Sequence, residues 1–347
     1  MKALVYQGPN CLALEERPKP SIQDPTDAIV KVTHTTICGT DIHLLQNEIP
    51  CNPDCILGHE GVGIIEAIGS GVTNFYPDQL VLISCITSCG YCLHCRKGMP
   101  SNCLSGGFTL GNKIDGTQAE YVRVPHASFS LHLLPDTIDR KASVLLSDVF
   151  PTAYECGIRN GQIRPGSRVA IIGPGPIGLA ALSMLKSLFG PALVVVIGRG
   201  KSRLDAAKAA GADHTLSTLD GIGELTERSN ALTGDRGFDV VIEAVGSKQA
   251  FEISQALVAA GGTIATLGVY GSKCDLHLEK LWNRNICLKT GLVDTVSTPE
   301  LLEMAKAGIL RPESLVSHNF SLDEIEQAYT VVRAASEHGT MKVVITI

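Results

Sequence analysis

The chain has 347 residues, 44% of them hydrophobic and 18% charged, so the low hydrophobicity and high net charge of a disordered chain are absent. Its 29 lysines and arginines stand against 35 aspartates and glutamates, a formal charge of -6 with no basic run, which argues against a nucleic-acid partner. At about 100 to 200 residues per domain, the length predicts two domains, each able to bury its own core.

Residues 1–9 carry one lysine and reach glycine and proline before an apolar run of seven can form, so no secretory signal is expected. A cytoplasmic, reducing compartment follows, in which the 12 cysteines are expected as metal ligands or buried thiols. Short β-like runs at 28–36, 61–68, 79–85 and 119–124, separated by turn residues, make 1–150 a β-rich domain. From residue 168 the texture changes: strand-length apolar runs at 169–172, 193–197, 240–243 and 262–267 alternate with helical segments. Helices are expected at 202–210 and 249–260, with Gly211 and Gly261 as their stops. That alternation is the α/β signature of a parallel sheet flanked by helices, spanning 151–289. Helices at 299–308 and 322–335 and a last strand at 341–347 return the chain to the first domain, so 290–347 completes it. The uncharged stretch 169–185 approaches the length of a short membrane span, but its glycines and prolines make it strand, turn and helix, and no membrane partner is expected.

The run at 169–172 leads directly into Gly173-Pro174-Gly175-Pro176-Ile177-Gly178 and then into a helix. In that position G-x-G-x-x-G is a dinucleotide-binding fingerprint. Gly173 makes the tight turn, Gly175 admits the pyrophosphate, Gly178 lets helix and strand pack, and Pro176 and Ile177 open the helix whose N-terminus favours phosphate. About 20 residues on, where an acid normally binds the adenosine ribose, the chain has Gly198, followed by Arg199, Gly200, Lys201, Ser202 and Arg203. Cations in place of a carboxylate favour a 2′-phosphate, so NADP(H) is expected, with NAD as the alternative.

Cys89, Cys92, Cys95 and Cys103 form C-x2-C-x2-C-x7-C, the spacing of a closed tetrahedral structural zinc site; an iron–sulfur cluster is the alternative. Cys85 and His94 lie nearby and are read as bystanders. A second set is dispersed: Cys38 and His43 in 36–43, His59 and Glu60 in 58–61, and Asp148 in 147–149. Each of these alone reads as an ordinary structural residue.

Taken in order, the C-G-T-D-x-H segment, the G-H-E-G-V-G segment, the four-cysteine lobe, the G-P-G-P-I-G turn and the segment 277–295 resemble the zinc-dependent alcohol dehydrogenases of the medium-chain dehydrogenase/reductase superfamily. The resemblance covers essentially the whole chain. It implies a GroES-like catalytic domain built from both termini, a Rossmann domain inserted between them, and substrate held in the cleft. It also implies a catalytic zinc held by Cys38, His59 and, as in members acting on secondary alcohols, Asp148, with Glu60 beside the metal and able to enter its coordination shell. Such a set leaves one position open on a Lewis acid, which lowers the hydroxyl pKa of a bound alcohol and prepares its carbon to give up hydride. Thr40 is similar to the family's relay hydroxyl, His43 to its outer base, and Asp41 is expected to orient a ligand histidine. Thr152, Val245, Gly246, Val269 and Tyr270 fall at strand ends where the nicotinamide half would lie, and Phe108 is a candidate pocket wall. The implied activity is NADP-dependent interconversion of a small-molecule alcohol, secondary or small primary, with its ketone or aldehyde, in a homo-oligomer for which a tetramer is favoured over a dimer. An NAD-dependent polyol or amino-alcohol dehydrogenase and a catalytically silent nucleotide-binding protein are the alternatives.

Overall fold

A computed structural model describes residues 1–347, the side chain of Ser336 excepted. The chain forms two units, Met1–Pro151 with Val293–Ile347, and Thr152–Leu292. In the first, β1 (Lys2–Gly8) and β2 (Cys11–Glu16) make an antiparallel hairpin. β3 (Ala28–Thr36) follows, and its β-branched Ile29, Val30, Val32, Thr33, Thr35 and Thr36 suit an extended, buried backbone. It pairs antiparallel with both β4 (Gly61–Ile68) and β6 (Tyr121–Val124), while β5 (Leu80–Ile83) and β7 (Leu131–Leu133) extend the sheet beyond β4.

In the second unit β8 (Arg168–Ile172), β9 (Leu193–Gly198), β10 (His214–Ser217), β11 (Phe238–Glu243), β12 (Val258–Thr266) and β13 (Cys287–Thr290) are all parallel, in the order β10-β9-β8-β11-β12-β13. Burial on both faces explains why β8 and β9 read as unbroken apolar runs. The order reverses between β8 and β11, the switch point at which such sheets bind ligands beyond their strand ends. β14 (Val316–Ser321) and β15 (Lys342–Thr346) then complete the first unit: β15 lies antiparallel to β3 and parallel to β14. The helix Ile325–Arg333 buries Ile325, Ala328 and Tyr329 in a core shared with Leu4, Leu44, Leu57 and Val343.

Two sequence expectations need correction. The helix expected at 249–260 is Lys248–Leu257, and the chain enters β12 at Val258 without a loop. Gly261, expected as a helix stop, lies inside that strand at φ 74°, where the pairing with β11 jumps from Phe238–Val258 to Val240–Thr263. It therefore serves a bulge, which the helical period of the preceding residues concealed. The helix expected at 322–335 is divided: a 3-10 turn Leu322–Glu324, opened by the Ser321–Glu324 capping box, runs into Ile325–Arg333, and a further helical turn Ala335–His338 follows after Ala334. Among the described residues no helix is long and apolar enough to cross a membrane.

Candidate active site

Three separate turns bring the dispersed set together in the first unit. Cys38 follows β3 as the N-cap of the helix Gly39–Leu45, where its backbone N–H donates to Asp41 Oδ2 at 2.8 Å. His59 and Glu60 immediately precede β4; the hydroxyls of Thr35 and Thr117 donate to the Glu60 carbonyl at 2.8 and 2.9 Å and pin that turn. Asp148 lies between the 3-10 turn Val144–Leu146 and the helical turn Val149–Thr152. One ligand atom from each of Cys38, His59, Glu60 and Asp148 lies within 4.8 Å of the others, and all four residues are buried. His59 Nε2 is 3.4 Å from Asp148 Oδ2 and 4.0 Å from Glu60 Oε1, and Cys38 Sγ is 3.9 Å from Asp148 Oδ2.

The electrostatics of this cluster suit a cation. Two carboxylates and a thiol share a buried space whose fixed counter-charge is Lys342 on β15, with Nζ 2.6 Å from Glu60 Oε1. Burial opposes the Lys342 charge, but Glu60, Cys38 and Asp148 outweigh it and hold its pKa above the ordinary lysine value. Burial likewise opposes protonation of His59, yet Asp41, Asp148 and Cys38 together push its pKa well up. Glu60 Oε2 is buried with no hydrogen-bond partner. Thiolate, imidazole and carboxylate are the donor types that hold zinc, and a divalent ion would compensate charges that are otherwise costly to bury together.

Around these four, Asp41 Oδ1 faces His59 Nδ1 at 3.4 Å, and Phe108 meets the same imidazole edge-on at 5.2 Å between ring centroids. Thr40 Oγ1 is 3.7 Å from Cys38 Sγ. His43 is half-buried and turns Nδ1 to Glu48 Oε2 at 2.5 Å. Sequence reading missed Glu48, Gln118 and Lys342, none of which stands in a recognisable motif.

The four-cysteine lobe is also assembled. Cys89 Sγ lies 3.9 Å from Cys95 Sγ and Cys92 Sγ lies 4.0 Å from Cys103 Sγ. Zinc–sulfur bonds of about 2.3 Å in a tetrahedron give edges of about 3.8 Å, so the donor set fits that ion. Backbone N–H groups of Cys95 and Leu104 bring the Cys92 thiol down to about 6, which favours the ligating thiolate. Among the described residues, neither Cys85 nor His94 joins this group.

In the second unit the glycine turn closes β8: Gly173 has φ 102° and its N–H donates to the Ile197 carbonyl at 2.8 Å. Gly175 is the N-cap of the helix Pro176–Met184, with Pro176 at N1 and Ile177 and Gly178 in the first turn. A Cβ on Gly178 would stand 2.0 Å from the Gly173 carbonyl oxygen, so helix and turn require glycine there. Gly198 ends β9; Arg199 is exposed, and Arg203 is half-buried in the first turn of the helix Lys201–Ala209. Thr152 is buried, and Val245 lies against the Gly173 turn. Glu243, absent from the sequence reading, organises the end of β11: its carboxylate accepts the N–H groups of Val245 and Gly246 at 2.8 and 2.9 Å and the Tyr270 hydroxyl at 2.6 Å. Gly246 in turn packs directly against the Val269 backbone.

Comparison with known proteins agrees with both halves. Residues 24–136 match the alcohol dehydrogenase GroES-like domain family and residues 176–307 match the zinc-binding dehydrogenase family. An alcohol dehydrogenase of Cupriavidus necator is 34% identical, over 99% of this chain and 98% of its own length. The solved structure of zinc dependent alcohol dehydrogenase 2 from Streptococcus pneumonia is 43% identical with a TM-score of 0.95, over 100% of this chain and 98% of that one. A putative zinc-binding dehydrogenase from Sinorhizobium meliloti, solved bound to NADP, is 28% identical with a TM-score of 0.86, over 100% and 99% of the two chains. The chain thus belongs to the zinc-dependent alcohol dehydrogenases of the medium-chain dehydrogenase/reductase superfamily.

Proposed function

We propose that the protein interconverts an alcohol, secondary or small primary, with its ketone or aldehyde, using NADP(H) and two zinc ions, one catalytic and one structural. The observation that carries this reading is the convergence of His59 Nε2 and Cys38 Sγ on Asp148 Oδ2, at 3.4 and 3.9 Å, from positions far apart in the chain. When bound, zinc supplies Lewis acidity toward the substrate oxygen, and the nicotinamide gives or takes the hydride.

The side chains do the rest. Cys38, His59 and Asp148 bind the catalytic ion and leave a fourth position open; Glu60 stands beside it, held toward Lys342 by their ion pair. Thr40, next to Cys38 Sγ, holds the hydroxyl proton of the substrate. His43 has Nδ1 committed to Glu48, so Nε2 is the nitrogen that receives that proton on its way to water. Cys89, Cys92, Cys95 and Cys103 hold the structural ion. The N-terminus of Pro176–Met184, with Gly173, Gly175, Pro176, Ile177 and Gly178, receives the pyrophosphate. Gly198, Arg199 and Arg203 receive the 2′-phosphate, and Thr152, Val245, Gly246 and Val269 flank the nicotinamide. Assembly as a cytoplasmic homotetramer belongs to the same reading, and sedimentation velocity tests its stoichiometry.

Metal analysis combined with initial rates for NADP and NAD, over secondary alcohols and sugar alcohols, tests the whole. Two zinc ions per chain are expected, with kcat/KM at least about tenfold higher for NADP, the effect of one charge-assisted contact. A metal-free but active protein would overturn the mechanism; equal use of both nucleotides would overturn the cofactor assignment.

A further inference from the structure

A chain of buried polar groups connects the helix Ile325–Arg333 to a metal-ligating imidazole. Tyr329, 3% exposed, donates its hydroxyl hydrogen to Gln118 Oε1 at 2.9 Å. Gln118, fully buried, donates Nε2 to the Thr36 carbonyl at 3.1 Å and to Asp41 Oδ2 at 3.2 Å. The same Asp41 oxygen accepts the Cys38 backbone N–H at 2.8 Å, and the other faces His59 Nδ1 at 3.4 Å.

The direction of this chain is set by its acceptors. A backbone carbonyl and a carboxylate only accept, so Gln118 must turn its NH2 group toward Thr36 and Asp41. Its carbonyl oxygen then faces the helix and needs a donor, which the phenol of Tyr329 provides. With one Asp41 oxygen occupied by Gln118 and Cys38, the other stands 3.4 Å from His59 Nδ1 with no hydrogen bond formed between them, and each of these two buried atoms has the other as its nearest available partner. An Nδ1 hydrogen held toward Asp41 would leave Nε2, 3.4 Å from Asp148 Oδ2, as the nitrogen that ligates the ion.

We propose that Tyr329 and Gln118 are positioning residues for the catalytic metal: they fix the Asp41 carboxylate, which in turn fixes both the Cys38 turn and the orientation of the His59 ring. The inference rests on the reading that Cys38, His59 and Asp148 hold zinc. A purely structural alternative has Tyr329 fastening its helix to the sheet with no effect on the ion.

The two zinc sites of one chain separate these roles, because the four-cysteine lobe is an internal reference that Tyr329 does not touch. In full-length, zinc-loaded protein, Tyr329→Phe and Gln118→Met are compared with wild type by zinc release to a chromophoric chelator. Both variants are expected to lose one ion about tenfold faster, the low end for an outer partner of a ligand, while the other ion leaves at the wild-type rate. With cobalt in place of zinc, the visible bands of the Cys-His-Asp site are expected to shift while those of the four-thiolate site stay. Wild-type release of both ions would overturn the proposal. So would equal loosening of both ions with a lowered melting temperature, since that marks general destabilisation. A wild-type protein binding one ion per chain would instead refute the catalytic-metal reading itself, and that result is obtained before any variant is made.

Discussion

A Cβ on Gly198 would stand 2.2 Å from Pro174 Cδ, so the end of β9 is packed against the proline of the glycine turn. Any side chain placed where an acid would bind the ribose meets that proline, so the position requires glycine as the turn stands. Gly198→Asp alone is expected to lower stability by about 1 to 3 kcal/mol, the usual cost of overpacking, without conferring efficient use of NAD. Gly198→Asp combined with Pro174→Gly is expected to recover part of that loss and to shift preference toward NAD. Arg199→Ala in the parent should lower kcat/KM for NADP about tenfold and leave NAD unchanged. Urea denaturation and paired initial rates read both effects.

Of the proposed ligands, Asp148 is the least evident from local sequence, and it offers charge as well as an oxygen. Asp148→Asn preserves shape and is expected to reduce zinc content toward one ion per chain and kcat/KM by at least about a hundredfold, the upper end of the losses produced by weaker, outer-shell changes. Metal analysis after dialysis checks the first, and steady-state rates the second. Full activity with two ions retained would remove Asp148 from the centre.

Glu243 closes the loop after β11 through three donors, and burial pushes its pKa up despite the hydrogen bonds from Tyr270, Gly246 and Val245. Glu243→Gln keeps an oxygen for both backbone N–H groups and can donate to the Tyr270 oxygen, so dinucleotide affinity should stay within about threefold of wild type. Glu243→Met leaves the backbone donors unpaired, a loss of about 1 to 3 kcal/mol, and should weaken dinucleotide binding at least about fivefold. Titration followed by the fluorescence of the reduced nicotinamide discriminates the two.

His132 on β7 predicts a pH dependence unconnected with the metal. Burial brings its pKa down to about 4, and its Nε2 has no hydrogen-bond partner. The unfolded chain, with an imidazole pKa of about 6.5, takes up the proton first as pH falls, so stability is full above that value and declines toward the folded pKa. Between pH 7.5 and 5 this group should cost about 2 kcal/mol of folding stability. His132→Leu is expected to flatten that part of the profile in urea midpoints; an unchanged slope would show that the histidine is already solvated.

What could be read from the sequence follows from how local the governing interactions are. β3 and β4 were legible to the residue because alternation and β-branching act over a few positions. The glycine turn and the cysteine lobe were legible because their chemistry is compressed into short segments. Gly261 misled because a helix stop and a bulge ask for the same backbone freedom. The outer partners were invisible for a different reason: Tyr329 meets Gln118 across 211 positions, and Gln118 meets Asp41 across 77, so nothing in the neighbourhood of either residue announces the other.

The Glu60–Lys342 pair has a consequence for biosynthesis. Lys342 follows Glu60 by 282 positions. At about 5 to 20 residues per second, a translating ribosome needs roughly 14 to 56 seconds to deliver that ammonium group after the carboxylate has been made. Through most of that interval the nascent chain lacks the lysine that pairs with Glu60, although all four cysteines of the lobe have been made. The four-cysteine lobe is therefore complete in the growing chain long before the closing strand brings Lys342 to Glu60.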